Sequence, residues 1–384
     1  MSLPLFPSAW MSEEHTMLQD SVRRFFTDKW VPHAGTWREA GIMPRACWNE
    51  AGAQGLLCLS SPSAYGGGGG DFGHEAVVIL EASRANLSGW GGGLHSAIVA
   101  PYLFHCGTEE QKQRFLPRMA TGELATAIAM TEPGTGSDLQ AVRTTARRDG
   151  DEYVINGAKT FITNGQHANL IIVVCKTDPT QGARGTSLLV VETDNAPGFE
   201  RGRNLDKLGM EAADTSELFF NDVRVPVANL LGEGEGHGFF QLMGQLPQER
   251  LNIAIQGIAT IERALELTID YVKQRGAFGK KVIDFQNTQF VLAECKTEAT
   301  IARVFVDHCI EQHLKGKLDA STASMAKYWV TDLENKIIDR CLQLYGGFGY
   351  MSEYPIARMY RDSRVQRIYG GTNEIMKVLI ARTL

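Results

Sequence analysis

A chain of 384 residues with 43% hydrophobic content is long enough to bury a large core and to divide into two or three domains. Its formal net charge of −6 argues against nucleic acid as a main partner, because phosphate backbones are held by clustered Lys and Arg. No apolar run approaches the length of a membrane span, no basic-then-apolar leader precedes the first helix, and the seven cysteines include no C-x-x-C pair; free thiols in a soluble, cytoplasmic protein are the expectation.

Residues 1–122 read as helices. Leu18, Val22, Phe25 and Phe26 recur at helical spacing ahead of Pro32, and 75–85 and 109–119 give two further helical runs. Five consecutive glycines follow Tyr65, and Gly68-x-Gly70-x-x-Gly73 formally matches a dinucleotide fingerprint. We reject that match, because Ser61-Pro62-Ser63-Ala64 is no strand and no βαβ unit follows. A flexible surface loop is predicted instead. A second glycine cluster at 89–93 is a candidate ligand lining, and His95 behind it reads as a packed or hydrogen-bonded helix residue.

Residues 123–235 change period. The stretch 127–165 opens with A-I-A-M-T-E-P-G-T-G-S-D, where Pro133, Gly134, Gly136 and Ser137 form a turn whose amides can face an anion. It ends with Y-V-I-N-G-A-K-T-F-I-T-N-G, which predicts two short strands joined by a hairpin at Asn156-Gly157. With β runs at 169–175, 186–192, 216–220 and 222–225, a compact antiparallel barrel or sandwich is expected. Pro226 and the G-E-G-E-G of 232–236 lead out of it. Beyond lie three helical runs of about 25 residues each, at 250–274, 290–314 and 321–345. They predict an antiparallel bundle. The fold class is therefore α+β: an N-terminal helical domain (1–122), a middle antiparallel β domain (123–235) and a C-terminal helical bundle (236–384), for which the resemblance described next implies four helices.

M-T-E-P-G-T-G-S-D and F-I-T-N-G resemble the two flavin-side motifs of the acyl-CoA dehydrogenases. The resemblance continues through R-G-A-F-G-K at 275–280, L-Q-L-Y-G-G-F-G-Y at 342–350 and I-Y-G-G-T-N-E-I at 368–375. The helical, β, helical order is also that family's arrangement. The resemblance implies FAD as cofactor and an acyl-CoA thioester as substrate. Ile128, Met130 and Thr131 with Gly136 and Ser137 are then expected along the flavin and its pyrophosphate. Phe161, with Ile162, is expected to flank the ring where many relatives have Trp, and Thr163 to lie near N5. Arg275 is expected to reach a pyrophosphate across a subunit interface, with Ala277, Phe278, Phe285 and Gln286 nearby. Gln343, Leu344, Gly346 and Gly347 are expected at the adenosine half. Thr372 and Glu374 open the last helix, whose N-terminus favours phosphate oxygens. No metal is expected.

Removing hydrogen from both Cα and Cβ of a thioester needs a base for the α proton, amide donors on the carbonyl, and a hydride acceptor. Many family members carry the base in a Y-E-G-T loop before the last helix. Here that loop is Tyr369-Gly370-Gly371-Thr372, and Gly370 cannot take a proton. The long-chain and isovaleryl-CoA branches carry the base on an early bundle helix beside an Arg, and Leu246-Pro247-Gln248-Glu249-Arg250 stands at that place. Glu249 is therefore the expected base, and Gly370 is left to contribute its backbone amide and space. Ser137, Pro247, Arg250 and Gly371 complete the expected substrate contacts. The resemblance further implies a medium- or long-chain or branched, even terpenoid, acyl-CoA, electron transfer to an electron-transferring flavoprotein, and a homotetramer. The alternative is a flavin-binding member without desaturase activity, either monooxygenase-like or a structural paralogue.

Overall fold

The computed structural model describes residues 7–384. Seven helices come first: α1 (Glu13–Phe25), α2 (Ala34–Ala40), α3 (Ala46–Ala53), α4 (Phe72–Arg84), α5 (Gly92–Leu94), α6 (Ala100–Cys106) and α7 (Glu109–Ala120). The starts of α1 and α4 share a device. Ser12 and Asp71 cap the two helices, and the third residue of each, His15 and His74, turns its ring Nδ1 back to the cap's own amide at 3.1 Å. His15, Asp71 and His74 thereby come together, but as interlocked caps: both Nδ1 atoms already accept a backbone N–H.

A seven-stranded sheet follows, comprising β1 (Thr126–Ala129), β2 (Thr145–Asp149), β3 (Glu152–Thr163), β4 (Leu170–Lys176), β5 (Thr186–Glu192), β6 (Phe199–Asn204) and β7 (Thr215–Pro226). The order is β1-β4-β2-β3-β7-β6, with β5 paired to the other edge of β4. The sheet is mixed, not wholly antiparallel, since β1 runs parallel to β4 from Thr126 opposite Leu170. The expected hairpin at Asn156-Gly157 is absent. β3 continues through it because β2 and β7 pair on both sides, and the ladder overrides the turn propensity. What remains is a bulge: Asn156 exchanges two hydrogen bonds with Asp222, which adopts φ +54°. The runs at 216–220 and 222–225 are likewise one strand, β7, carried through that bulge.

The first glycine cluster does not behave as expected. Gly68, Gly69 and Gly70 donate backbone hydrogen bonds to Cys58, Ser61 and Leu59 at 2.9–3.1 Å, so the run is pinned and not a flexible loop. In the second cluster, a Cβ at Gly91 would lie 1.8 Å from Asn164 Oδ1, so that glycine admits the F-I-T-N-G turn against the helices. His95 is fully buried and bonded to Thr126 and Met119, as a packed residue should be.

The chain then returns to helices: α8 (Gly238–Gln274), α9 (Gln286–Leu314), α10 (Ala320–Leu344), α11 (Pro355–Ser363) and α12 (Asn373–Ala381). A two-stranded hairpin of β8 (Gly276–Ala277) and β9 (Lys280–Lys281) lies between α8 and α9. Helix α8 starts well before the predicted run and passes through Pro247. Its apolar stripe, with Leu251, Ile255, Ile258 and Leu265, shares one core with Ala76, Val77 and Leu80 of α4 and with Cys295, Ala299 and Val306 of α9. Each such fully buried Leu or Ile is worth about 1.5–3 kcal/mol. Helix α8 is thus clamped between the first and last helical stretches. All seven cysteines are free, and six are buried.

Candidate active site

Two amides of α8 meet the carbonyl of Ala97, which lies in the π-turn (His95–Val99) just before α6: Gln248 Nε2 at 2.7 Å and Asn252 Nδ2 at 3.3 Å. Between them on α8 stands Glu249. Only 6% exposed, it accepts a hydrogen bond of 2.7 Å from the Tyr102 hydroxyl on Oε1. Burial pushes its carboxyl up to about 7, against the opposing pull of Tyr102 and Arg250. Arg250 is buried too, with Nη1 3.3 Å from Ser324 Oγ and Nε bonded to nothing. A buried carboxylate poised near neutrality beside a buried cation suits proton abstraction from a weak carbon acid.

One turn further along α8, Ile253 reaches the loop that Y-E-G-T relatives use. A Cβ on Gly370 would lie 2.3 Å from Ile253 Cδ1, and Gly370 and Gly371 adopt φ of +63° and +88°. Glu249 and Ile253 are four residues apart and so share a face. Glu249 therefore lies one turn from the residue that α8 packs against the Gly370 loop.

Lys327, a residue that sequence reasoning missed, holds the loop from behind. Its Nζ donates to Gly371 O at 2.8 Å and to Asn373 Oδ1 at 2.9 Å, and burial brings it down to about 8. The available signal was a lysine on the buried stripe of α10 beside Ala323, Ala326 and Val330. Thr372, as expected, caps α12 by accepting from Ile375 N. The same helix end also carries Glu374, whose carboxyl the helix amides and Thr372 hold low. Thr372 and Glu374 thus both stand at the helix end to which the resemblance assigns phosphate oxygens.

The flavin-side motifs meet at the end of β1. The strand stops at Ala129, so Met130 and Thr131 lie beyond it. Thr131 O accepts from Thr160 N of β3 at 3.0 Å, and Glu132 and Thr135 close a tight turn by mutual backbone bonds. A second unforeseen pair fixes this turn. Lys159, with a fully buried side chain, donates to Glu132 Oε1 at 2.9 Å and to Met130 O at 3.0 Å. Glu132 also accepts from the amides of Arg143 and Thr144. Burial pushes the Glu132 carboxyl upward, yet Lys159 and those amides outweigh it and hold it below its usual range. Burial lowers Lys159 despite the partner.

Ile162 is buried behind the site, Ile128, Met130, Thr131 and Thr163 are half-buried, and Gly136 and Ser137 are exposed. Phe161 is the anomaly: 67% exposed, at φ +59°, where the β3–β7 register shifts. An exposed aromatic held in a strained conformation beside an open turn fits one face of a flat ring system such as isoalloxazine.

A separate pocket of about 640 Å³ gathers Arg275, Gln343, Leu344, Gly346 and Gly347, with Tyr271 and Tyr345 stacked 4.1 Å apart in its lining. Arg275 lies over the Phe348 ring at 5.2 Å. Ala277, Phe278, Phe285 and Gln286 do not line it. Phe278 instead sits at the tip of the β8–β9 hairpin, 96% exposed at φ +50°, a conformation costly for an aromatic residue. Phe285 lies under Lys280 at 4.2 Å. Such a tip suits contact with something outside this chain, in line with a cofactor site completed across an interface. Arg275→Ala is accordingly expected to weaken FAD retention by tenfold or so, read as the Kd for FAD by flavin fluorescence. A variant that holds FAD as firmly as the parent would contradict the shared site.

Three sequence profiles match in succession: acyl-CoA dehydrogenase N-terminal domain over residues 12–123, middle domain over 127–223 and C-terminal domain over 236–384. The chain belongs to the acyl-CoA dehydrogenase family. It is 51% identical over 375 residues to the long-chain specific acyl-CoA dehydrogenase, mitochondrial, of Mus musculus, covering 97% of this chain and 87% of that protein. Among solved structures, an acyl-CoA dehydrogenase from Geobacillus kaustophilus is 52% identical with a TM-score of 0.96, covering 98% of this chain and 99% of that one. A glutaryl-CoA dehydrogenase from Mycobacterium smegmatis in complex with FADH2 is 27% identical with a TM-score of 0.90, covering 97% and 95% of the two chains. The acyl-CoA dehydrogenases are FAD-dependent oxidoreductases that act on CH–CH groups, and FAD is the cofactor of this chain. Thr131, Phe161, Thr163 and the open turn at Gly136 and Ser137 are the residues that would hold its ring end.

Proposed function

We propose that this acyl-CoA dehydrogenase converts a medium- or long-chain, or branched, acyl-CoA to its trans-2-enoyl-CoA, with Glu249 as the base. The supporting observation is a buried carboxylate, raised to about 7, on the face of α8 that packs against Gly370. Bound FAD supplies the hydride acceptor. Glu249 takes the α proton, the Gly370 N–H donates to the thioester oxygen, and Arg250 places positive charge close to the site. The buried surroundings of Glu249 keep water from competing as proton acceptor. A flavin-binding member without desaturation has no evident need for an ionisable group desolvated there.

The chain-length reading leans on the 51% identity to the long-chain specific relative. Because a reduced cofactor must be reoxidised, an electron-transferring flavoprotein is the proposed acceptor. Ile301, Val304 and Trp329 leave apolar surface exposed on α9 and α10, and with Phe278 they support a homotetramer. No described helix is long and apolar enough to cross a membrane. The free cysteines support a reducing, cytoplasmic location.

Two measurements test this reading. Anaerobic flavin bleaching across a panel of straight and branched acyl-CoAs should show turnover with at least one class; bleaching by none would overturn desaturation. The rate should also rise with pH through about 7, because the carboxylate must be ionised to accept the proton. A rate that is flat across that window would remove Glu249 from the role.

A further inference from the structure

We propose that Tyr102 is a positioning residue for the base: its hydroxyl fixes one oxygen of the Glu249 carboxylate and leaves the other for the α proton. The inference rests on the reading of Glu249 as base. Its geometric ground is independent of any substrate. Tyr102 is fully buried on α6, and its hydroxyl meets Glu249 Oε1 at 2.7 Å although the two residues are 147 positions apart. The contact is braced at its own level. Five residues before Tyr102, in the turn that leads into α6, the Ala97 carbonyl accepts from Gln248 and Asn252. Those two residues flank Glu249 on α8. The turn and the start of α6 together thus fix both the height of the base and the direction of its carboxylate.

The chemistry suits a phenol better than a charged donor. A buried carboxylate with no donor would stay protonated near neutral pH, whereas a lysine or histidine there could surrender its own proton to it. Tyr102 cannot, because burial and the neighbouring carboxylate hold its hydroxyl far above the ordinary phenol range. The other charged group facing Glu249 is Arg250 on its own helix, and Cys106, one turn along α6, faces Tyr102. When Oε2 accepts the α proton, Glu249 becomes a neutral acid, and Tyr102 keeps both its proton and its hydrogen bond to Oε1. No proton passes through the phenol. It acts by holding the carboxylate still and ionised.

The test uses the full-length FAD-loaded enzyme and octanoyl-CoA, with anaerobic flavin bleaching followed across the acid limb of the pH profile. Tyr102→Phe should move that limb up by about one pH unit and lower the plateau rate by about three- to tenfold. FAD content and octanoyl-CoA affinity should stay as in the parent. In a Glu249→Gln background the same change should cost nothing more, since the two residues act as a unit. An unmoved limb and plateau in folded Tyr102→Phe would overturn the proposal and leave the Glu249 assignment standing on its own variant. Full bleaching by Glu249→Gln would instead overturn the base assignment beneath it. If Tyr102→Phe does not fold, 3,5-difluorotyrosine at position 102 keeps the ring and strengthens the donor. It should move the limb down, and a limb that stays or rises would overturn the proposal.

Discussion

Glu249→Gln is expected to slow the bleaching of bound flavin by an acyl-CoA by about a hundredfold or more. Glutamine keeps the volume and can still accept from Tyr102, but it cannot take a proton. FAD should remain bound and acyl-CoA affinity should change little, so the loss should fall on kcat and on single-turnover reduction. Glu249→Asp should keep part of the rate, because the carboxylate survives one methylene further from the substrate. Moving the carboxylate to position 370 is harder than the Y-E-G-T sequences suggest. Gly370 has φ +63°, and its Cβ position lies 2.3 Å from Ile253 Cδ1. Glu249→Gly with Gly370→Glu is therefore expected to restore only part of the rate, because Ile253 Cδ1 must turn aside and a residue with a side chain must hold φ +63°. Stopped-flow bleaching decides the matter, and a Glu249→Gln variant as fast as the parent would end the assignment.

The second large effect is expected at Lys159→Met. This substitution keeps the length but removes the partner of Glu132, leaving a carboxylate buried among Met130 O and two backbone amides. Breaking such a pair from one side costs about 3–5 kcal/mol. The damage is local in its consequence, because Glu132 and Lys159 hold the turn that carries Gly136 and Ser137 to the strand that carries Phe161. FAD affinity should fall with stability, and excess FAD should recover part of the lost Tm through binding linkage. The double change Glu132→Gln with Lys159→Met should be milder than Lys159→Met alone, because it no longer strands a charge. Thermal melts with and without FAD check this; a Lys159→Met variant that melts with the parent would show that the pair does not hold the turn.

What the sequence made legible was what short stretches of chain can encode. The M-T-E-P-G-T-G-S-D and F-I-T-N-G runs carried the family and the proposed ring end of the cofactor site, and the absence of an acid at position 370 directed the proposal of a base to Glu249. Local signals failed where tertiary structure overrode them. Asn156-Gly157 has the composition of a hairpin turn, but neighbours on both sides of β3 make it a bulge. The glycines at 66–70 resemble a loose loop until the carbonyls of Cys58, Leu59 and Ser61 are seen to hold them. Tyr102, Lys327 and the Glu132–Lys159 pair lay out of reach for another reason. Each acts through contacts between residues 27 to 147 positions apart, for which no periodicity or motif exists.

The packing of Ile253 over Gly370 also constrains how such a site could change over evolutionary time. One catalytic carboxylate can sit on the helix or on the loop, yet a single codon change cannot carry it from one to the other in this chain. Acquiring the loop glutamate first would drive a side chain toward Ile253 from a left-handed backbone, while losing the helix glutamate first would remove the proposed base. A smaller residue at position 253 would ease the second carboxylate's entry without altering either one, though the left-handed backbone at 370 would still favour glycine. A lineage that had taken that step could hold both acids for a time and then discard either.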